Sequence, residues 1–195
     1  MLASITPLGE RSRRSSWTVT TAMHTFGSIG GGAAVGALAG LLGWLAVGGV
    51  SVRARVALLA AALATGLVWE LARGRVPGPR RQVDERWLDR YRGWVYGLGY
   101  GAQLGAGLVT VIVSSAVYVV PLAAFLTERP LAGALIGGVA GGLRGVTVFT
   151  ASGVTTPARL VAFHARMGAM ERPVRTVALL VELVLAGVAM LVVVV

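Results

Sequence analysis

Long apolar stretches, separated by short segments that carry arginine, make up most of this chain. One of them runs from Trp94 to Phe125 and holds thirty-two residues without a charge. A helix of that length would measure about 48 Å, whereas the hydrocarbon core of a bilayer is roughly 30 Å thick. Two crossings of about twenty residues each would need a longer stretch. The pattern therefore predicts one crossing that is tilted, kinked or partly re-entrant, with its break at Pro121.

Four other apolar stretches have the length of transmembrane helices. They cover approximately residues 23–50, 54–71, 131–151 and 173–195. Only helices and closed barrels satisfy the backbone hydrogen bonds of a chain in lipid. The predicted fold class is therefore an all-α, polytopic integral membrane bundle of about five transmembrane helices.

Two segments between the apolar stretches place apolar residues at helical spacing among arginines. They are residues 73–92, with Trp87 and Leu88, and residues 152–175, with Phe163 and Met167. This pattern is typical of amphipathic helices that lie in the membrane interface. Contact with anionic lipid explains the arginines, and a docking surface for a membrane-protein or soluble partner at 73–92 is the alternative.

The domain organisation follows from the same pattern. Residues 1–22 are polar and lack an apolar period, so we expect a disordered cytoplasmic arm, followed by a single transmembrane domain over 23–195. A shift of 78 positions superimposes similar residues, which predicts a tandem repeat of 23–92 and 94–172 before a final helix at 173–195. The superimposed pairs are Pro79 and Pro157, Arg81 and Arg159, Val83 and Val161, and Gly27 and Gly105.

Glycines recur at every fourth position in the first apolar stretch, at Gly32, Gly36 and Gly40. Such a ladder lets another helix backbone approach closely, which is how helices associate in lipid. Packing within the bundle is the simpler interpretation, and association into a homo-oligomer uses the same surface. The alternative is that glycine thins the helix to leave room for a permeant.

Composition excludes an ordinary soluble domain. Of the residues, 55% are hydrophobic and 13% are charged, against about a quarter charged in soluble proteins. A net charge of +10 is typical of nucleic-acid binding, but here the arginines alternate with apolar stretches, so we expect no nucleic-acid partner. All eighteen basic residues are arginine and lysine is absent, which favours a high-GC bacterial source.

The distribution of arginine predicts the orientation. With the N-terminus inside and five crossings, fourteen arginines fall in inner segments and three in outer turns. Cytoplasmic loops carry the excess of positive charge. We therefore expect a multi-pass protein of the bacterial inner membrane, with a cytoplasmic N-terminus and an external C-terminus.

Three polar residues lie deep in the predicted spans: Arg144, Glu182 and Gln103. The helical rise places all three roughly 10 to 14 Å above the cytoplasmic boundary. One interpretation is a structural ion pair of Arg144 with Glu182, capped by Gln103, so that substitutions of the two charges would be coupled. The other is a binding site in which Arg144 attracts an anionic or polar permeant and Glu182 serves as counter-ion or proton acceptor.

No catalytic arrangement emerges from the sequence. The two histidines, His24 and His164, are expected at the membrane interface, and neither has a carboxylate or thiol at ligand spacing. The absence of cysteine excludes disulfides and thiol chemistry within this sequence. We therefore predict no enzymatic activity, no cofactor and no metal site.

The stretch YGLGYGAQLGAGLVTVIVSSAVY, followed by PLAGALIGGVAGGLRGV, resembles the CcdA and DsbD family of membrane thiol electron carriers over residues 95–170. The resemblance implies a glycine-rich span followed by a second span of small residues, a scaffold that is also similar to LysE-type exporters. The family's Pro-Cys elements are missing, so its redox chemistry cannot be assigned to any residue.

Two functional hypotheses follow. The first is a small transporter or permease-like protein for a small polar or anionic solute. The second is a non-catalytic accessory or assembly subunit of a membrane complex, or a redox-inactive relative of the CcdA-type carriers.

Overall fold

A computed structural model describes residues 5–73, 86–107 and 114–194. All regular secondary structure in these ranges is helical, which confirms the all-α class. Four helical segments are long and apolar enough to cross a membrane, namely Trp17–Val47, Val52–Arg73, Pro130–Ala151 and Glu171–Val193. The helices are α1 (Pro7–Ser12), α2 (Trp17–Val47), α3 (Val52–Arg73), α4 (Arg86–Arg90), α5 (Gly93–Gly105), α6 (Ala116–Leu126), α7 (Pro130–Gly145) and α8 (Pro157–Val194).

Helix α2 forms the centre of the bundle and packs against both α5 and α7. On one side Gly32 lies against Gly137, and Gly36 against Gly133, so α7 runs antiparallel to α2. The Ser28 hydroxyl donates a 2.6 Å hydrogen bond to the Gly141 carbonyl across this contact. The predicted glycine ladder is thus used for close backbone packing within the chain.

The other side of α2 holds α5, which runs parallel to it. Gly97, Gly101 and Gly105 lie in turn against Thr20, His24 and Ser28. His24 is buried in this contact, contrary to the expectation of an interfacial position, whereas His164 is exposed on α8.

The third predicted crossing consists of two helices, α5 and α6. Gly105 lies beside Ser28 of α2, and Phe125 lies beside Gly43, so the chain advances along α2 in one direction. Neither α5 nor α6 is by itself among the four segments long enough to cross a membrane, so a single crossing by the pair stays a prediction. The predicted break at Pro121 is wrong, because Pro121 lies inside α6 and the helix ends instead at Gly105. Membrane helices tolerate proline where neighbouring groups satisfy the freed carbonyl.

The last helix differs most from the prediction. α8 extends over 38 residues, about 57 Å, and passes through Pro173 without a break. The predicted interfacial helix at 152–175 is therefore not separate, and most side chains between 157 and 181 are exposed. Proline removes one backbone donor, and the hydrogen bonds on either side of it keep the helix continuous. Within the bundle α8 packs mainly against α3.

The described part of the N-terminal arm, residues 5–16, contains α1 and packs on the bundle, contrary to the expected disorder. Glu10 of α1 is fully buried and accepts hydrogen bonds from Thr20 at 2.8 Å and Tyr96 at 2.6 Å. It also forms a 2.9 Å ion pair with Arg13. Hydrogen bonds and an ion pair hold this arm against the bundle, and such polar contacts leave no apolar period in the sequence.

Two predictions fall largely outside the described residues. The interfacial helix at 73–92 is described only at Arg73 and from Arg86 onward, where α4 has five residues. Pro79, Arg81 and Val83 of the tandem repeat are likewise outside, so the repeat stays a prediction.

Candidate functional site

The break between α5 and α6 lies about midway along α2. α5 ends at Gly105, and Gly107 turns the chain with a φ of +71°, a conformation that glycine adopts without steric cost. α6 starts at Ala116, and residues 108–113 lie outside the described ranges. Helix ends leave carbonyl and N–H groups without intrahelical partners, so such a break places polar backbone within an apolar bundle.

A cavity of about 190 Å³ adjoins the break. Its wall consists of the glycine faces of α2 and α7, the end of α5 and the side of α6 around Pro121. Arg144 of α7 completes the lining. Its guanidinium lies beside Gly107, where an added methyl group would be 3.8 Å from Nη1.

The Arg144 side chain is half-buried at this cavity. No described residue accepts a hydrogen bond from it or forms an ion pair with it. A guanidinium carries five donors and stays charged at physiological pH. The cavity therefore presents a positive group whose donors are not used by the described part of the bundle.

On the α6 side of the break, two carboxylates converge on Ser115. The Ser115 hydroxyl lies 2.7 Å from Glu182 Oε1 and 3.2 Å from Glu70 Oε2, and its backbone N–H donates to Glu70 at 3.1 Å. These distances place carboxylate oxygens of Glu70 and Glu182 no more than about 6 Å apart. A hydroxyl has one proton, so it donates to one carboxylate at a time.

Both carboxylates are buried, with exposures of 0% for Glu70 and 1% for Glu182. Glu70 Oε1 accepts no hydrogen bond from any residue that the structure describes, and the Nε of Arg175 lies 3.6 Å from it. Arg175 also donates to the Glu70 backbone carbonyl at 3.2 Å and is 40% exposed. The polar chain therefore runs from Arg175 at the edge of the bundle through Glu70 and Ser115 to Glu182.

The structure separates the three residues that the sequence placed in one layer. Arg144 lines the cavity, Glu182 binds Ser115, and Gln103 is half-buried on α5 without a side-chain hydrogen bond to any described residue. The predicted ion pair of Arg144 with Glu182 is wrong, because α8 packs against α3 instead of α7. Helical rise gives depth, but the pairing of helices decides which side chains meet.

Sequence reasoning missed Glu70 and Ser115. Glu70 lies one residue before the end of the apolar stretch 54–71 and close to Arg73, so its place in the stretch does not mark it as a residue of the interior. Ser114 and Ser115 are adjacent hydroxyls in an uncharged stretch and were not singled out. An acid followed by further apolar residues is the signal that would have identified Glu70.

Comparison with known proteins gives one informative similarity. No family model matches the chain, and no solved structure matches it. The chain is 34% identical over 133 residues to the methylamine utilization protein MauF of Methylorubrum extorquens AM1. The alignment covers 66% of this chain and 46% of MauF, so the chain spans about half the length of that relative.

Proposed function

We propose that this multi-pass membrane protein binds a small anionic or polar solute at the break in its third crossing and carries it across the membrane. The observation that carries the proposal is the Arg144 guanidinium, which faces the 190 Å³ cavity without a partner among the described residues. An arginine at membrane depth costs about 2.5 kcal/mol or more on insertion scales, which favours a functional reason for its presence.

The broken helix supports the same proposal. Transporters commonly bind substrate near the midplane at discontinuous helices, where freed backbone groups contact the solute. The cavity of about 190 Å³ has room for a small solute. The solute is therefore a small anion or a small polar molecule.

A flux assay tests this function. Purified protein in liposomes should accelerate the exchange of small anions such as chloride or formate, and Arg144→Gln should abolish the acceleration while the protein still folds. Arg129→Gln is the matched control, because Arg129 is exposed at the start of α7, away from the cavity. Equal flux in wild type and Arg144→Gln would refute the role of Arg144.

The name of the relative suggests a further probe for the same assay. MauF is named for methylamine utilization, and methylamine is a cation at neutral pH. A cation would be repelled by Arg144 and would need the carboxylates Glu70 and Glu182. If the flux of methylammonium depended on those two residues and not on Arg144, the proposed solute would be a cation instead of an anion.

An accessory or assembly subunit is the second candidate. The exposed first half of α8, with Arg159, Arg166 and Arg172, offers a long surface to a partner, and α4 exposes Arg86 and Arg90. Reversing the charges at Arg86 and Arg90 should then abolish complex formation. Loss of the complex, together with no flux by the isolated protein, would favour this candidate over transport.

We further propose a bacterial inner-membrane location with the N-terminus inside and the C-terminus outside. Arginines are in excess at the end of the bundle where α2 and α5 begin, and this excess supports the proposed orientation. We also propose that residues 95–170 share ancestry with the CcdA and LysE-type scaffolds. A homo-oligomer is a separate proposal, and it would need a surface other than the glycine faces that α2, α5 and α7 bury against one another.

A further inference from the structure

A second cavity, of about 610 Å³, lies at the start of α5, at the opposite end of that helix from Arg144. Arginines from two separate segments line it, Arg13 and Arg14 from the turn after α1 and Arg92 from the residue before α5. Ser15, Ser16 and Asp89 are also in the wall. This surface is independent of the proposed solute site.

Two helices begin at this cavity. α2 starts at Trp17 and α5 at Gly93, and neither N-terminus has a side-chain cap. Ser15 lies so close to Gly93 that any side chain there would collide with its hydroxyl. The first turns of both helices therefore direct backbone N–H groups and the positive ends of their dipoles toward one region.

The side chains add net positive charge. Burial disfavours the charge of Arg13, but its hydrogen bonds to Glu10 and Tyr96 outweigh that effect and raise its pKa. Arg14 and Arg92 are exposed, and no described carboxylate lies within ion-pair distance of either. Arg13 is already paired with Glu10, and Asp89 is the acid in the wall, so two guanidiniums remain for a ligand.

Arg14 has a backbone φ of +54°, which is uncommon for a residue with a side chain. This conformation turns the chain between α1 and α2 while keeping the arginine at the cavity wall. Glycine or asparagine would adopt it at lower cost. The turn alone does not favour arginine at this position, so the reason for arginine lies in its guanidinium group at the cavity wall.

We propose that this cavity, formed by Arg14, Arg92 and the first turns of α2 and α5, binds a phosphate group. Guanidinium groups bind phosphate through paired hydrogen bonds, and helix N-termini favour the same anion. The phosphate belongs either to a lipid headgroup or to a small soluble anion. The exposed rings of Tyr91 and Trp94 beside the cavity are typical of the headgroup level of a membrane and favour the lipid.

Binding to the full chain in detergent tests the site in two arms. The first counts adducts of phosphatidylglycerol and of phosphatidylcholine by native mass spectrometry, and the second measures inorganic phosphate by titration calorimetry without lipid. Arg14→Gln with Arg92→Gln should weaken phosphate binding at least tenfold, because two charge-assisted contacts are lost. Arg14→Lys with Arg92→Lys keeps the charge and should retain part of the affinity.

Arg11→Gln with Arg166→Gln is the matched control, since it removes the same charge from exposed positions outside the cavity. Selective binding of phosphatidylglycerol that is lost only in the cavity variant supports a lipid site. Binding of inorganic phosphate with the same dependence supports a soluble anion. Binding of neither, or equal weakening by the control pair, would overturn the proposal.

Discussion

At Gly36 the backbones of α2 and α7 leave no space for a side chain. A methyl group there would overlap the Gly133 carbonyl oxygen, whereas one at Gly30 would meet nothing within 4 Å. We expect Gly36→Ala to destabilise the bundle by about 1 to 3 kcal/mol through overpacking. Gly30→Ala should be neutral or stabilise by up to about 1 kcal/mol, through helix propensity. Unfolding in mixed detergent micelles measures both, and equal effects would contradict the packing.

The carboxylates at Ser115 give a second prediction at the level of single residues. Because Glu70 and Glu182 share one hydroxyl donor, Glu70→Gln and Glu182→Gln should show an interaction energy of about 0.5 to 3 kcal/mol. Arg144→Gln and Glu182→Gln should be additive within about 0.5 kcal/mol, since those residues do not meet. Double-mutant cycles that measure the free energy of unfolding show which of the two pairs is coupled and which is additive. Strong coupling of Arg144 with Glu182 would show instead that these residues form the ion pair predicted from the sequence.

Residue identity alone could locate the polar groups but not their partners. Arg144 and Glu182 stand out as isolated charges in apolar stretches, and in the structure Arg144 is half-buried at the cavity while Glu182 is fully buried. Glu70 is equally buried but lies close to the arginine-rich segment, so its depth depends on where α3 ends. Its contact with Ser115 joins residues 45 positions apart in sequence, which no local pattern encodes.

At the scale of helices, apolar length predicted where helices form better than it predicted their ends, and four of the five stretches contain a helix long enough to cross a membrane. The five apolar stretches correspond to α2, α3, the α5–α6 pair, α7 and the second half of α8. The break predicted at Pro121 was wrong, because Pro121 lies inside α6. Pro173 also lies inside a helix, α8, although the last membrane-spanning segment begins close to it, at Glu171. Proline lowers helix stability locally, and its effect in a bundle depends on neighbours that the sequence does not specify.

The continuity of α8 can be measured directly because the chain has no cysteine to compete for spin labels. Labels at exposed Val161 and Leu185 should be separated by about 36 Å if α8 is straight through Pro173. A right-angle bend that lays the first half along the membrane would shorten the separation to roughly 25 Å. Pulsed electron paramagnetic resonance in nanodiscs distinguishes these values.

A label pair at Val177 and Leu191 serves as the control for that measurement. Both positions are exposed and follow Pro173, so their separation of about 21 Å is the same whether or not the helix bends. A short distance for the first pair with a normal distance for the second would contradict a straight α8.

At the scale of the molecule, the bundle has a glycine-packed part, α2 with α5 and α7, and a looser pair, α3 with α8, joined through α6. Composition and hydropathy were sufficient for the class of protein, since only a membrane accommodates so much apolar surface. The division into two parts depends on which helix faces touch. Glycine spacing in α2 indicated a packing face, but the partners of that face follow from the three-dimensional arrangement.

Orientation is the property of the entire molecule that remains a prediction from arginine distribution. Reporter fusions after Val50, Glu128 and Val195 should report the outside, and fusions after Arg81 and Arg166 the inside. The physical reason is that fourteen arginines would otherwise have to be translocated. An inside signal after Val195 would contradict five crossings.

The central position of α2 has a consequence for the timing of biosynthesis. α2 leaves the ribosome before the helices that pack against it, and the last residue of α7, which covers one of its glycine faces, follows roughly 100 residues later. At about 5 to 20 residues per second, α2 waits roughly 5 to 20 s for that partner. During this interval its grooves must be filled by lipid chains or by the insertion machinery, so the rate of translation determines how long the nascent chain is open to incorrect helix partners.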